Sequence, residues 1–252
     1  MTNLFWLTDE QMKRLKPFFP KSHGKPRVDD RRVLSGIIFI NRNGLRWCDA
    51  PREYGPPKTL YNRWKRWSEM GVFARIFEGL ASEATDQKTV MIDATYLKAH
   101  RTASSLRFEK GGRGRLIGRT KGGMNTKLHA VTDATGRPLK FFMTAGQVSD
   151  YTGAAALLSS LPRADWLLAD RGYDADWFRH ALKDKGITPC IPGRKSRGEP
   201  VKYDKRRYRR RNHIEIMFGR LKDWRRVATR YDRCPKVFLS AVALAATVMF
   251  WL

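Results

Sequence analysis

The sequence predicts a mixed α/β protein in which a helical N-terminal part precedes a mixed sheet flanked by helices. Three observations carry this. Up to about residue 85, apolar residues recur at helical spacing between breaks rich in Pro and Gly. From about residue 88, β-branched and apolar runs alternate with amphipathic stretches, as in a sheet whose later strands are joined by helices. The 252 residues are 42% apolar, with 8 Trp and 13 Phe, enough for a real core in one large domain or a small one joined to a medium one. The change of texture sets the expected division: a helical domain over 1–86 and a mixed-sheet domain over 87–252.

In the first part, Thr8 with Gln11 forms a capping box at the head of LTDEQMKRLKPFF, and Pro20 with SHGKP ends that helix. DDRRVLSGIIFINRNG has acids at its start and Gly at its close, the polarity of a helix. After APREYGPPK, Thr59 is a plausible N-cap for TLYNRWKRWSEMG, and VFARIFEGLASEA follows. A short helix, a turn and a basic-aromatic helix form the pattern of a helix-turn-helix DNA reader, with Arg63, Lys65 and Arg66 as phosphate or base contacts. A plain helical bundle with Trp64 and Trp67 in its core has the same pattern.

In the second part, KTVMIDATYL reads as a strand, and KLHAVTDATGRPLKFFMTAG as a hairpin turning at Asp133–Gly136. DYTGAAALLSSL is a helix, DWLLAD a buried strand, ADWFRHALKDKG a helix and ITPCIP a strand. A long basic helix and an apolar tail close the chain. The tail, Val237–Leu252, is short for a membrane span and reads as a buried core helix, so no membrane partner is expected. The Gly-, Arg- and Lys-rich stretch after the first strand could clamp a phosphate backbone. Three dispersed cysteines, with no CxxC pair, point to a reducing compartment and away from disulfides or zinc.

Charge narrows the function. Fifty Lys and Arg against 24 Asp and Glu leave +26, an excess that favours a polyanionic partner, nucleic acid foremost. Between Arg194 and Lys236 there are 17 basic residues and five acidic ones. Within this stretch, Tyr208, Arg211, Glu215 and Lys222 fall within about 60° on one face of an ideal helix. Ile214, Met217, Phe218, Leu221 and Trp224 gather on another face, toward a core.

A lone carboxylate on a stripe of Tyr, Arg and Lys makes chemical sense if the stripe meets phosphates and Glu215 holds a divalent metal. The plain alternative is an i,i+4 ion pair with Arg211. Two further acids stand out. Asp93 sits in mid-strand between Ile92 and Ala94, where an unpaired charge is expensive. Asp170 ends WLLAD, at a strand end where open α/β sheets place active sites. Each has a plain alternative: a solvent-facing or arginine-paired strand acid, and a turn cap. Together the three acids could hold two Mg²⁺ ions about 4 Å apart, with Mn²⁺ as a substitute, for attack at a phosphodiester.

These segments resemble the DDE transposases of bacterial insertion sequences, most closely the insertion sequence five family. MIDATYLKAHR is similar to the first-Asp strand of that family, LLADRGYDADWFR to its second-Asp segment, and YRRRNHIEIMFGRLK to its Tyr-x2-Arg-x3-Glu-x6-Lys signature. LRWCDAPREYGPPKTLYNRWKRWSEMGVFARIF resembles its helical N-terminal domain. The resemblance implies an RNase H-like core and a triad of Asp93, Asp170 and Glu215 that is both catalytic and metal-binding. Tyr208, Arg211 and Lys222 would contact DNA near the scissile phosphate. It further implies cleavage at terminal inverted repeats and strand transfer into target DNA, by a homo-oligomer assembled on double-stranded DNA in the bacterial cytoplasm, at the nucleoid. Two alternatives stay open: a plain RNase H-fold nuclease, and a non-catalytic DNA-binding regulator.

Overall fold

The computed structural model describes residues 3–21, 29–83, 88–105 and 114–252. The domain boundary expected at 86/87 and much of the Gly- and Arg-rich clamp segment lie outside the described residues. In chain order the elements are α1 (Asp9–Leu15), α2 (Asp30–Asn43), α3 (Pro57–Glu69), α4 (Val72–Ser82), β1 (Thr89–Ala99), α5 (Arg101–Ser104), β2 (Gly118–Thr120), β3 (Gly123–Asp133) and β4 (Pro138–Ala145). There follow α6 (Asp150–Leu158), β5 (Trp166–Leu168), α7 (Asp176–Asp184), β6 (Thr188–Cys190), α8 (Lys205–Tyr208), α9 (Asn212–Lys222), α10 (Arg225–Ala228), β7 (Thr229–Arg230) and α11 (Pro235–Phe250). The chain forms two compact units, each built from separated segments.

The first unit takes residues 1–80, 101–103 and 221–252. Its α1 opens on the expected capping box: Thr8 Oγ1 accepts from the Gln11 N–H, and Gln11 Oε1 from the Thr8 N–H. Asp29 caps α2 by accepting from the Arg31 N–H at 2.9 Å. Gly44 ends it with φ 71°, and a Cβ there would stand 2.7 Å from that of Arg225, so both backbone and space call for glycine. Thr59 is not the cap of α3. That helix begins at Pro57, whose missing N–H needs no partner in the first turn and whose φ is already helical, so a side-chain cap is dispensable. Trp64 and Trp67 are buried, with Phe73 and Phe19 rings at 5.0 and 4.7 Å. The apolar tail forms α11, buried along most of its length, and no helix among the described residues is long and apolar enough to cross a membrane.

The second unit, residues 81–100 and 104–220, contains the sheet. β3 pairs antiparallel with β1 on one side and with β2 and β4 on the other; β1 continues parallel to β5, and β5 to β6. β1 is therefore a central strand, and its first half, Val90 to Ile92, is fully buried. The β3–β4 hairpin turns where expected. The Asp133 carboxylate gathers the Thr135 N–H, the Thr135 hydroxyl and the Arg137 N–H, and Gly136 supplies φ 87°.

A brace that the sequence does not announce lies after β5. The Asp174 side chain is fully buried and accepts from Arg179 Nε at 2.8 Å, the Arg194 N–H at 2.8 Å and Arg197 Nε at 3.1 Å. Burial alone would raise this carboxyl, but these donors together hold it below its usual value. Arg179 also donates to the Ile191 carbonyl at 2.7 Å, tying α7 to the chain after β6. Removing one member of a buried, hydrogen-bonded ion pair leaves the other uncompensated. Asp174→Asn is therefore expected to lower unfolding free energy by about 3 kcal/mol, read from the urea midpoint. The exposed neighbour Asp176→Asn is expected to change it by no more than about 1 kcal/mol.

Candidate active site

β1 pairs in parallel with β5 so that Met91 lies opposite Leu168. Two residues further along each chain come Asp93 and Asp170. Side chains two apart on a strand share a face, so this register sets the two carboxylates side by side where β5 ends. Asp93 is still within the ladder, opposite Ala130 of β3. Asp170 is just past β5 and caps the short 3-10 turn Arg171–Tyr173, accepting from the Gly172 N–H at 2.8 Å.

Glu215 arrives from the other direction, in the first turn of α9. The hairpin tip holds that helix in place: His213 Nδ1 lies 2.9 Å from the Ala134 carbonyl oxygen. A carbonyl can only accept, so Nδ1 carries the proton. Gly136 lets the backbones close in, since a Cβ there would stand 2.8 Å from the His213 carbonyl oxygen. His213 is thus an anchor for the helix, a role its sequence position beside Glu215 did not announce.

Arg211 joins the set. Its Nη1 donates to Asp93 Oδ2 at 2.7 Å and its Nη2 to Glu215 Oε1. The plain i,i+4 pair weighed from the sequence does exist. It does not stand alone, because the same guanidinium also reaches a sheet residue 118 positions away. Asp93 and Arg211 side chains are each 16% exposed, against 52% for Glu215, so the bridge is sheltered on the sheet side and open on the helix side. Burial pushes the Asp93 carboxyl up to about 6; the Asp170 charge adds to the rise, while Arg211 and the Ala94 N–H oppose it.

Tyr208 does not continue one α-helix into Glu215. It ends α8, Arg209–Arg211 form a 3-10 turn, and α9 starts at Asn212. A 3-10 turn advances about 120° per residue, so the stripe drawn on an ideal helix is broken at its N-terminal end. Tyr208 still meets Arg211, whose Cζ is 6.0 Å from the ring centroid, and burial raises the tyrosine's pKa. The apolar face holds: Ile214, Met217, Phe218, Leu221 and Trp224 are all buried. Lys222 closes α9 and is counted with the first unit; burial lowers its pKa. On α3, Arg63 is half-buried with its guanidinium 5.7 Å from the Trp67 ring centroid, while Lys65 and Arg66 are exposed, Lys65 lying 3.9 Å from Glu69.

Among the described residues, no three His, Cys, Asp or Glu side chains form a ready cage for a metal ion. The donor chemistry nevertheless fits one. Hard carboxylate oxygens suit Mg²⁺ or Mn²⁺, and a cationic guanidinium already bridges two of them. Beside them the buried Tyr173 hydroxyl has no hydrogen-bond partner among the described residues. Burial raises that phenol's pKa well above its usual value, with the charges of Asp150, Asp93 and Asp170 adding to the rise.

Residues 7–77 match the family described as "Putative transposase of IS4/5 family", and residues 84–250 the family described as "Transposase DDE domain". A Brucella ovis protein named "Putative transposase for insertion sequence element IS6501" is 38% identical over 130 residues, covering 51% of this chain and 99% of that one. A Burkholderia cepacia protein named "Putative transposase for insertion sequence element IS402" is 31% identical over 158 residues, covering 54% of this chain and 72% of that one. Among solved structures, the cryo-EM structure of a piggyBac transposase synaptic complex with hairpin DNA superposes with a TM-score of 0.52 at 10% identity, over 97% of this chain and 72% of that chain. At that identity the likeness speaks for the fold, and with the domain match it establishes the expected RNase H-like core preceded by helices.

Between pH about 4 and about 6 folded Asp93 keeps a proton that the unfolded chain has released, so stability falls as pH rises through that window. Asparagine mimics the protonated form. Asp93→Asn is expected to be more stable than wild type at pH 7.5, by up to about 3 kcal/mol, with the gain vanishing near pH 4. Urea denaturation at the two pH values measures this; equal gains at both would show that the desolvated charge is not its source.

Proposed function

The chain belongs to the DDE-domain transposases of insertion sequences, and from that premise we propose that it binds the terminal inverted repeats of its element, cuts there and joins the freed ends to target DNA. The single observation that supports this reading is the Arg211 guanidinium bridging Asp93 of β1 and Glu215 of α9, with Asp170 near enough for its charge to act on Asp93. Asp93 and Asp170 are aligned by the β1–β5 register, and Asp93 and Glu215 share the Arg211 guanidinium.

Asp93, Asp170 and Glu215 would hold two divalent ions, Mg²⁺ or in its place Mn²⁺. When bound, such ions lower the pKa of the attacking water or hydroxyl and stabilise the departing oxygen of the phosphodiester. The protein's own work is positional. Asp93 offers a buried, partly desolvated carboxylate, Asp170 one held by the Gly172 N–H, and Glu215 a more exposed one on the substrate side. Tyr208, Arg211 and Lys222 steer the DNA phosphates, Arg211 as a planar bidentate donor and Lys222 as a point charge. Hydrolysis leaves a 3′ hydroxyl and a 5′ phosphate. That hydroxyl then attacks a target phosphodiester, one P–O bond forming as another breaks, and neither step involves a covalent protein intermediate. Arg63, Lys65 and Arg66 on α3 contribute to DNA binding. Two ends must be processed together, which favours a homo-oligomer on DNA, acting in the bacterial cytoplasm at the nucleoid.

The test uses labelled duplexes carrying the DNA that flanks the coding region, with Mg²⁺, with Mn²⁺ and with EDTA. Metal-dependent nicking at the repeat boundary is expected, followed by joining to a target plasmid. Asp93→Asn, Asp170→Asn and Glu215→Gln should each reduce cleavage on the order of 10³-fold while still shifting DNA in a gel. Binding without cleavage by wild type in either metal would refute the enzymatic reading in favour of a regulator. Nicking without joining would reduce the protein to a nuclease.

A further inference from the structure

Arg211 occupies a position of unusual consequence. One guanidinium spans Asp93 Oδ2 and Glu215 Oε1, and Tyr208 flanks it. A divalent ion held by Asp93 and Glu215 would draw on those same carboxylates, where it would meet the positive charge of a guanidinium that already bridges them. The arginine and the ion are therefore rivals for one pair of ligands.

Resting on the proposed metal-binding role of the triad, we infer that Arg211 is the site's internal counter-cation: it competes with the divalent ion for Asp93 and Glu215, and it yields them by transferring to a phosphate of the bound DNA. The Asp170 charge already works against ionisation of Asp93, and carboxylates brought together repel each other. A fixed positive charge among them lowers that cost while the substrate is away. A DNA phosphate is a suitable destination, because its oxygens accept the same bidentate fork that now holds the carboxylates. Metal and DNA thereby assist each other's binding: DNA draws Arg211 off the ligands, and an ion on the ligands frees Arg211 for DNA. Such coupling is reciprocal. It keeps the site poorly loaded until the element end arrives, which limits cutting elsewhere.

The experiment measures Mn²⁺ affinity, by electron paramagnetic resonance of the free ion, with and without a short duplex. The proteins are wild type, Arg211→Gln, Arg211→Lys and Asp93→Asn, each checked for folding by circular dichroism. Without DNA, Arg211→Gln is expected to bind Mn²⁺ more tightly than wild type, by a factor in the range of about 5–150. Arg211→Lys, whose ammonium does not span both carboxylates, should gain by a smaller factor and serves if the glutamine variant fails to fold. With duplex, wild type should recover most of that gain, and Arg211→Gln should change little. If Asp93→Asn binds Mn²⁺ as well as wild type does, the metal-site reading itself fails. If Asp93→Asn binds poorly but neither arginine variant exceeds wild type without DNA, the competition is overturned while the metal site stands.

Discussion

The constraint on which the second unit turns is a carboxylate in the middle of a central strand. Asp93 lies in β1 with β3 on one side and β5 on the other, and burial alone would drive it to its neutral form. What opposes this is the Arg211 guanidinium at 2.7 Å, helped by the Ala94 N–H at 2.8 Å. Delivering that guanidinium requires the segment before α9 to lie against the sheet. This in turn requires the hairpin tip to accept His213 and to present a glycine where any side chain would collide. The charge on β1, the turn at Asp133–Gly136 and the start of α9 are therefore one arrangement, although they come from three distant parts of the chain.

The pieces set by local chemistry were readable in the sequence. The Thr8–Gln11 box, the Asp29 and Gly44 boundaries of α2, the turn at Asp133–Gly136 and the buried face of α9 all follow from side chains within a few residues of each other. Asp93 could be singled out because a charge inside an apolar strand breaks the expected pattern. What stayed hidden depends on partners far along the chain. The register that levels Asp93 with Asp170 belongs to a parallel pair joined across more than sixty residues, and strand patterns alone do not specify which residues face each other. Three consecutive arginines gave no sign that the backbone would tighten into a 3-10 turn at 209–211. Thr59 looked like a cap because a side-chain signal outweighed Pro57, which makes such a cap unnecessary.

The charge excess also reads differently once its members are placed. Arg179 donates to Asp174 and Ile191, Arg226 to the Leu45 carbonyl, and Arg230 to the carbonyls of Asp232 and Arg233. All three are buried and serve the fold. Arginine suits this use because its fork satisfies several acceptors at once and does not lose its charge on burial. Net charge computed from composition therefore overstates the basic surface offered to DNA. The exposed residues on α3 and the arm carrying Arg194 to Arg211 are better guides to where phosphates would be met.

The three carboxylates are also held with unequal firmness, and the inequality is mechanistically useful. Asp170 heads a turn fixed at both ends. The Gly172 N–H binds its carboxylate, and four residues later Asp174 anchors the chain through three donors. Asp93 is set by the ladder of β1. Glu215 alone is half in solvent, on a helix whose link to the sheet runs through His213 and Arg211. On the proposed reading, the two firmly held carboxylates would define where a metal pair sits, and the more exposed Glu215 would adjust by a rotamer change as DNA enters. A site with all three fixed would have to bear their mutual repulsion permanently. One with all three loose would lose the positioning on which in-line displacement depends. Placing the most exposed member one helical turn beyond Arg211, and paired with it, would let the release of one be felt at once by the other.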